Sequence, residues 1–176
     1  EDTFLETIRL ARSAGVHMHT HLCEGENSSM VRRFGVRSLE WCRRIGFVGS
    51  DIWLAHGRET LPEEYALLAE NHMGISHCPA PTMLGGSEIL DIPGMRKAGI
   101  PISLGVDGCA TNDGSNMLDT LRLAYLMQTF LSKKRGGCPS PYEMLKLATV
   151  GGAEMIGRPE LGQLAAGKAA DLFMID

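Results

Sequence analysis

The period of the apolar positions changes repeatedly along the chain, and each change marks an expected element. Phe4, Leu5, Ile8, Leu10 and Ala11 recur at helical spacing up to Gly15. From Val16 to Leu22 the period becomes two, with His17, His19 and His21 on one face and Val16, Met18, Thr20 and Leu22 on the other. Residues 24–35 read as a polar loop and residues 36–45 as a helix built on Leu39, Trp41, Cys42 and Ile45. A short apolar strand over Ile52–Ala55 ends at His56-Gly57. Thr60 is the expected cap of the next helix, with Pro62 and Glu63-Glu64 in its first turn and Gly74 as its stop after about His72. A brief strand, Ile75–His77, leads into Pro79-Ala80-Pro81, expected as a loop. A helix over Ile92–Ala98 closes at Gly99, and a strand over Ile100–Val106 ends at Asp107-Gly108. After a loop over Cys109–Ser115 comes an amphipathic helix from about Asn116 to Ser132. Ser140-Pro141 opens one more helix to about Ile156. Gly167-Lys168 turns the chain, and residues 171–175 read as strand.

Strands that alternate with helices imply parallel strands and an α/β fold. Four such units are too few to close an eight-stranded barrel, which takes about 250 residues. The pattern therefore predicts part of a larger barrel. Residues 1–158 would form the partial barrel, and residues 159–176 would return into a small β-domain.

Composition narrows the function classes. The chain of 176 residues is 44% hydrophobic, carries a net charge of −4 and has six histidines. No basic face of the size that nucleic acids need is present. The run Lys133-Lys134-Arg135 reads as a helix C-terminus whose dipole it compensates. No apolar run is long enough for a membrane span, and the acidic start does not resemble a targeting peptide. Five cysteines without a CxxC pair suggest reduced thiols and a cytoplasmic setting.

Four short polar motifs stand at or near strand ends: His17-Met18-His19-Thr20-His21-Leu22-Cys23-Glu24, Leu54-Ala55-His56-Gly57, Ser76-His77-Cys78-Pro79 and Leu104-Gly105-Val106-Asp107-Gly108. In parallel α/β folds, ligands bind at the C-terminal ends of the strands. A single histidine there is more often a structural hydrogen-bonder; the ordered set points to metal and proton-transfer chemistry. Imidazole and carboxylate together suit a borderline divalent metal such as zinc.

Taken in order, the motifs resemble the amidohydrolase superfamily. The nearest resemblance is to its branch of cytosine/guanine, 8-oxoguanine and isoxanthopterin deaminases and triazine hydrolases. The tail Gly162-Gln163-Leu164 through Gly167-Lys168-Ala169-Ala170-Asp171-Leu172 is similar to that family's return into its small β-domain. The resemblance implies the second half, strands five to eight, of a distorted (β/α)8 barrel. It implies one divalent metal, zinc foremost and iron as the alternative. By residue, His21 would bind the metal and Glu24 would shuttle the proton. His56 would polarise water or a substrate carbonyl, and Asp107 would bind metal and take a proton from the water. His56, Glu24 and His77 would face the substrate. The implied reaction is hydrolytic deamination of a purine or pterin-like ring. The alternatives are displacement of chloride or an alkylamine from a triazine, and a catalytically dead barrel with a binding role. The expected partner is a small heterocycle; a homodimer would be usual for such enzymes.

Plainer readings stand beside these. His77 either holds its turn or touches substrate. His19 either approaches the metal or floors the barrel, and His17 is expected as a buried hydrogen-bonder. A rival reading makes His19 and His21 the HxH pair of a first strand, but the order of the later motifs and Glu24 argue against it. Arg32 and Arg33 either clamp substrate or sit on a solvated loop, His72 is expected in solvent, and Asn112 and Asp113 are loop formers and weaker substrate candidates. Cys23, Cys78 and Cys109 adjoin motifs, but each has a stronger metal or proton-transfer candidate beside it. The first-strand HxH pair that the resemblance calls for has no place before residue 17. His21 and Asp107 would then be the only two protein ligands, and this chain by itself is expected to be inactive.

Overall fold

The computed structural model describes residues 2–134 and 136–174. Four parallel strands form one sheet in the order β1-β2-β3-β4: β1 Met18–Leu22, β2 Ile52–His56, β3 Gly74–His77 and β4 Ile102–Leu104. The parallel α/β architecture read from the sequence is present. Helix α1, Asp2–Ser13, precedes β1. Helices α2 (Asn27–Phe34) and α3 (Ser38–Arg44) join β1 to β2. A 3-10 turn, Pro62–Glu64, and α4 (Tyr65–Glu70) join β2 to β3. Helices α5 (Pro79–Leu84) and α6 (Ile92–Lys97) lead to β4. Then come α7 (Cys109–Asn112), α8 (Met117–Ser132), α9 (Pro141–Lys146), a π-helical turn (Leu147–Gly151) and α10 (Gly152–Met155).

Register gives the sheet two unlike faces. Thr20, Leu54, Ile75 and Ile102 align across all four strands. With Met18, Leu22, Ile52 and Leu104 on the same side, they present a mainly apolar face, and all of these but Thr20 belong to the buried core. The opposite face carries His19, His21, Trp53, Ala55, Gly74, Ser76 and Ser103, from the alternate positions of the same ladders. His19 stacks on Trp53 at 3.6 Å between ring centroids. Helix α1 packs through Phe4, edge-on to Trp41 and Phe47 at 5.4 Å each.

Several local expectations give way to the structure. Residues 27–34 form a helix within the expected polar loop. Met30, Val31 and Phe34 have helical spacing, and Gly35, at φ 73°, closes the last turn on the Val31 carbonyl. Pro79 and Pro81 do not keep their segment a loop, because a proline in a first turn lacks only an N–H that has no intrahelical partner there. Residues 109–112 form one helical turn closed by Asp113 at φ 61°. Thr60 is not the cap: the Glu64 carboxylate accepts from the Leu61 N–H at 2.9 Å, and the buried Thr60 hydroxyl has no partner among the described residues. Strand β4 is shorter than Ile100–Val106. His17 is exposed rather than buried. Helix α8 ends at Ser132 with Lys133 in the left-handed conformation; Arg135 lies outside the described residues. Residues 171–174 form no strand, since no neighbouring strand among the described residues pairs with them; Ile175 lies outside these residues.

Two positions yield measurable consequences. The π turn presses onto β4 at Gly151, where an added Cβ would lie 2.6 Å from the Ile102 carbonyl oxygen. Gly151→Ala should therefore lower stability by about 1–3 kcal/mol through overpacking against rigid backbone, read as a lower urea midpoint. An unchanged midpoint would show that the turn can lift away. His77, at the end of β3, is fully buried, and neither ring nitrogen has a partner among the described residues. Burial, helped by the neighbouring His56, pushes its pKa down from 6.5 to about 4. Both states are neutral at pH 7, so this contribution to stability is then fully present. As pH falls from 6.5 towards 4, the unfolded chain binds a proton that the folded one refuses, and stability falls by up to about 3 kcal/mol. His77→Leu should flatten that acid limb of a urea-midpoint titration; an unaltered slope would remove His77 as its source.

Candidate active site

The C-terminal ends of the strands bring together His21, Glu24, His56 and Asp107. The His56 Nε2 lies 2.9 Å from the His21 Nδ1. The Glu24 Oε2 lies 3.3 Å from each of those atoms. The His21 Nε2 lies 3.9 Å from the Asp107 Oδ1. One ligand atom each from His21, His56 and Asp107 falls within a mutual 4.8 Å. His56, expected to act on water or substrate alone, thus also stands among the potential metal donors.

Backbone geometry at the strand ends creates this convergence. His21 pairs with Ala55, and Leu22 with His56. Strict alternation would therefore send His56 to the helix side with Leu22. Instead His56 takes φ 72°, which ends the alternation and lets its ring meet His21. Cys23 at φ 54° and Asp107 at φ 64° turn the chain in the same way after β1 and β4. Left-handed backbone at three non-glycine residues costs energy, and such strain clusters at functional sites.

The four groups differ in environment. His56 is wholly buried and His21 is 53% exposed. Burial lowers the His56 pKa; the Glu24 and Asp107 carboxylates work against that and His21 adds to it. A neutral imidazole keeps the lone pair that a metal requires. At Asp107, burial favours the neutral acid. The Thr111 hydroxyl, donating at 2.9 Å, together with the Gly108 N–H, His56 and His21, outweighs it and holds the carboxyl below its ordinary range. The donor set of two imidazoles and a carboxylate fits a zinc-type ion. Burial pushes the Cys23 and Cys78 thiols up to about 12, so neither is a thiolate nucleophile near neutral pH.

The remaining candidates lie around this cluster. His77 is buried at the neighbouring strand end and is not part of the cluster. The His19 ring centroid is 6.0 Å from that of His21, and its ring lies flat on Trp53. Arg32 and Arg33 are exposed on α2, one bonded to Ser29 and the other over Phe34, and His72 is exposed. Asn112 ties the Asp107 turn together by donating to the Val106 carbonyl at 2.6 Å and the Asp107 carbonyl at 3.1 Å.

A set of supporting residues escaped the sequence reading. Glu26 accepts from the N–H groups of Cys23 at 2.7 Å and Glu24 at 2.8 Å, and from the Ser38 hydroxyl at 2.5 Å. Burial disfavours its charge, but Ser38 and the N–H groups of Glu24, Glu26 and Cys23 outweigh this and hold its carboxyl below its usual range. Arg58 donates to the Glu24 carbonyl. Asn27 links the Ser38 N–H at 2.9 Å to the Glu59 carboxylate at 2.9 Å. The only signal in the sequence was a second glutamate two positions after Glu24 on an otherwise short-side-chain turn.

Comparison with known proteins shows the family of the chain. The Amidohydrolase family profile matches residues 1–176. The chain is 52% identical over 176 residues to the hydroxydechloroatrazine ethylaminohydrolase of Pseudomonas sp. (strain ADP), covering 99% of this chain and 37% of the relative. It is 41% identical over 172 residues to the 8-oxoguanine deaminase of Pseudomonas aeruginosa, covering 96% of this chain and 37% of that enzyme. Among solved structures, a zinc-bound adenosine deaminase from Xanthomonas campestris superposes with a TM-score of 0.91 at 26% identity, over 97% of this chain and 40% of that one. The chain thus spans well under half the length of these relatives. It belongs to the Amidohydrolase family.

Proposed function

We propose that this chain supplies strands five to eight of a complete (β/α)8 barrel that displaces an amine from a nitrogen heterocycle with water. The observation that carries the reading is the convergence of His21, Glu24, His56 and Asp107 at the strand ends. Further ligands would come from the rest of the barrel, which accords with relatives more than twice as long.

His21 and Asp107 would hold a divalent metal, with the His56 ring nitrogen close enough to join them. When bound, such an ion supplies Lewis acidity that makes water a nucleophile near neutral pH. The residues of this chain handle the protons. Asp107, held as a carboxylate with one oxygen bonded to Thr111, accepts the proton from the attacking water at its other oxygen. Glu24 delivers its proton to the ring nitrogen, takes the proton of the newly added hydroxyl and passes it to the departing amine, since an amine leaves poorly as an anion; the proton held by Asp107 then returns Glu24 to its acid form. His56, buried and neutral, polarises the attacking water or a substrate carbonyl. The same division between metal, water and a non-ligand glutamate serves zinc base deaminases.

An aminated purine or pterin-like ring is one substrate class, in keeping with the 8-oxoguanine deaminase relative. An alkylamino-triazine is the second, favoured by the 52% identity to an ethylaminohydrolase. Both share the electron-poor ring carbon and the amine leaving group. A panel of aminated purines, pterins and ethylamino-triazines, assayed for ammonia or ethylamine with the full-length protein, separates the two classes. No amine release from any of them by metal-loaded protein would favour the dead-barrel alternative.

In that protein Glu24→Gln should keep its metal and lose about 100-fold or more in turnover. Asp107→Asn should lose both metal and turnover, read by metal analysis beside the amine assay. Full activity in either variant would overturn the assigned role.

A further inference from the structure

The turn that carries Glu24 is gripped from both sides by charged side chains that do not themselves reach the His21–Asp107 cluster. Glu26 folds back under the turn, and its carboxylate collects the N–H groups of Cys23 at 2.7 Å, Glu24 at 2.8 Å and Gly25 at 3.3 Å. The Ser38 hydroxyl anchors the same carboxylate at 2.5 Å to the start of α3. On the other side of the Glu24 residue, the Arg58 guanidinium donates to the Glu24 carbonyl. Arg58 stands two residues after His56, so this contact couples the turn after β1 to the turn after β2. Among the described residues the Glu24 carboxylate makes no other ion pair or hydrogen bond than its contacts with His21 and His56 at 3.3 Å. The Cys23 backbone is left-handed at φ 54° and Gly25 has φ 153°, so the turn would not keep this shape unaided.

We propose that Glu26 is a positioning residue for proton transfer: by fixing the backbone at Cys23–Gly25 it sets the aim of the Glu24 carboxylate, with Ser38 as its anchor. The inference rests on the reading of Glu24 as the proton shuttle. A carboxylate suits the task because its two oxygens can accept several convergent N–H and O–H donors at once. A glutamine presents only one accepting oxygen and turns an amide donor towards those same N–H groups. The effect on chemistry is indirect and geometric. A proton donor displaced by a fraction of an ångström loses rate while substrate and metal remain bound.

A double-mutant cycle in the full-length, metal-loaded protein tests this. Glu26→Gln should lower kcat for amine release by about 10–100-fold, the range usual for supporting residues, with metal content and KM within about twofold. In a Glu24→Gln background the same substitution should cost less than about twofold, because the group it aims is already gone. Ser38→Ala, a milder change that serves if Glu26→Gln does not fold, should show a smaller loss with the same dependence on Glu24. An equal fold-loss in both backgrounds, or a loss that tracks metal content, would mean that Glu26 merely holds the fold together, and the inference fails while the role of Glu24 stands. Undiminished turnover in Glu24→Gln itself would fell the shuttle reading, and the inference with it.

Discussion

The parallel register of four strands is the constraint on which the rest depends. Pairing Leu22 with His56 and His21 with Ala55 sets the ends of β1 and β2 side by side, so residues 35 positions apart in sequence come to 2.9 Å between ring nitrogens. The register also sorts the sheet into an apolar face against the helices and a face carrying His19, His21, Trp53, Ser76 and Ser103. Burial of the apolar face drives the sheet onto its helices. In the proposed barrel the polar face would be the inner wall, and the cluster of His21, Glu24, His56 and Asp107 gathers at the C-terminal rim of the sheet.

At that rim, regular structure stops through left-handed turns rather than by fraying. Cys23, His56 and Asp107 all take positive φ, each with a side chain that glycine would lack. Their strain is offset by specific bonds: the Glu26 carboxylate under the first turn, the Leu22 carbonyl accepting from Gly57 at 3.0 Å beyond the second, and Thr111 and Asn112 around the third. Where these bonds are partly buried, as under Cys23 and Glu24, losing a partner costs the desolvation of the group left unpaired. Rigidity at the rim therefore comes from hydrogen bonds, whereas rigidity below it comes from packing.

Catalytic candidates and supports also differ in how they could be recognised. His21, His56 and Asp107 stood out because ligand-type residues recur in order at the ends of successive apolar strands, although any one of them alone is more often structural. Glu26, Ser38 and Arg58 did not, because a glutamate, a serine and an arginine in connecting segments are ordinary. Their partners are backbone groups, and backbone groups carry no sequence signal. The same cause hid α2 and α5. Polar composition and two prolines argued for loops, while the deciding facts were a left-handed Gly35 and the harmless place of a proline in a first turn.

Alternation of period-two and helical segments was enough to determine the parallel α/β class and the four strands, because hydrophobic periodicity is a local property; the set His21, Glu24, His56 and Asp107 came from the strand-end motifs read in order through their resemblance to the family. What only the tertiary structure decided is where those side chains point. By alternation alone His56 would face the helices, and His77, two positions after Ile75, would share its apolar face. Left-handed backbone brought the first ring to His21, and the β3 register left the second fully buried. Those outcomes follow from strand pairing and turn geometry across long sequence separations, which no single segment encodes.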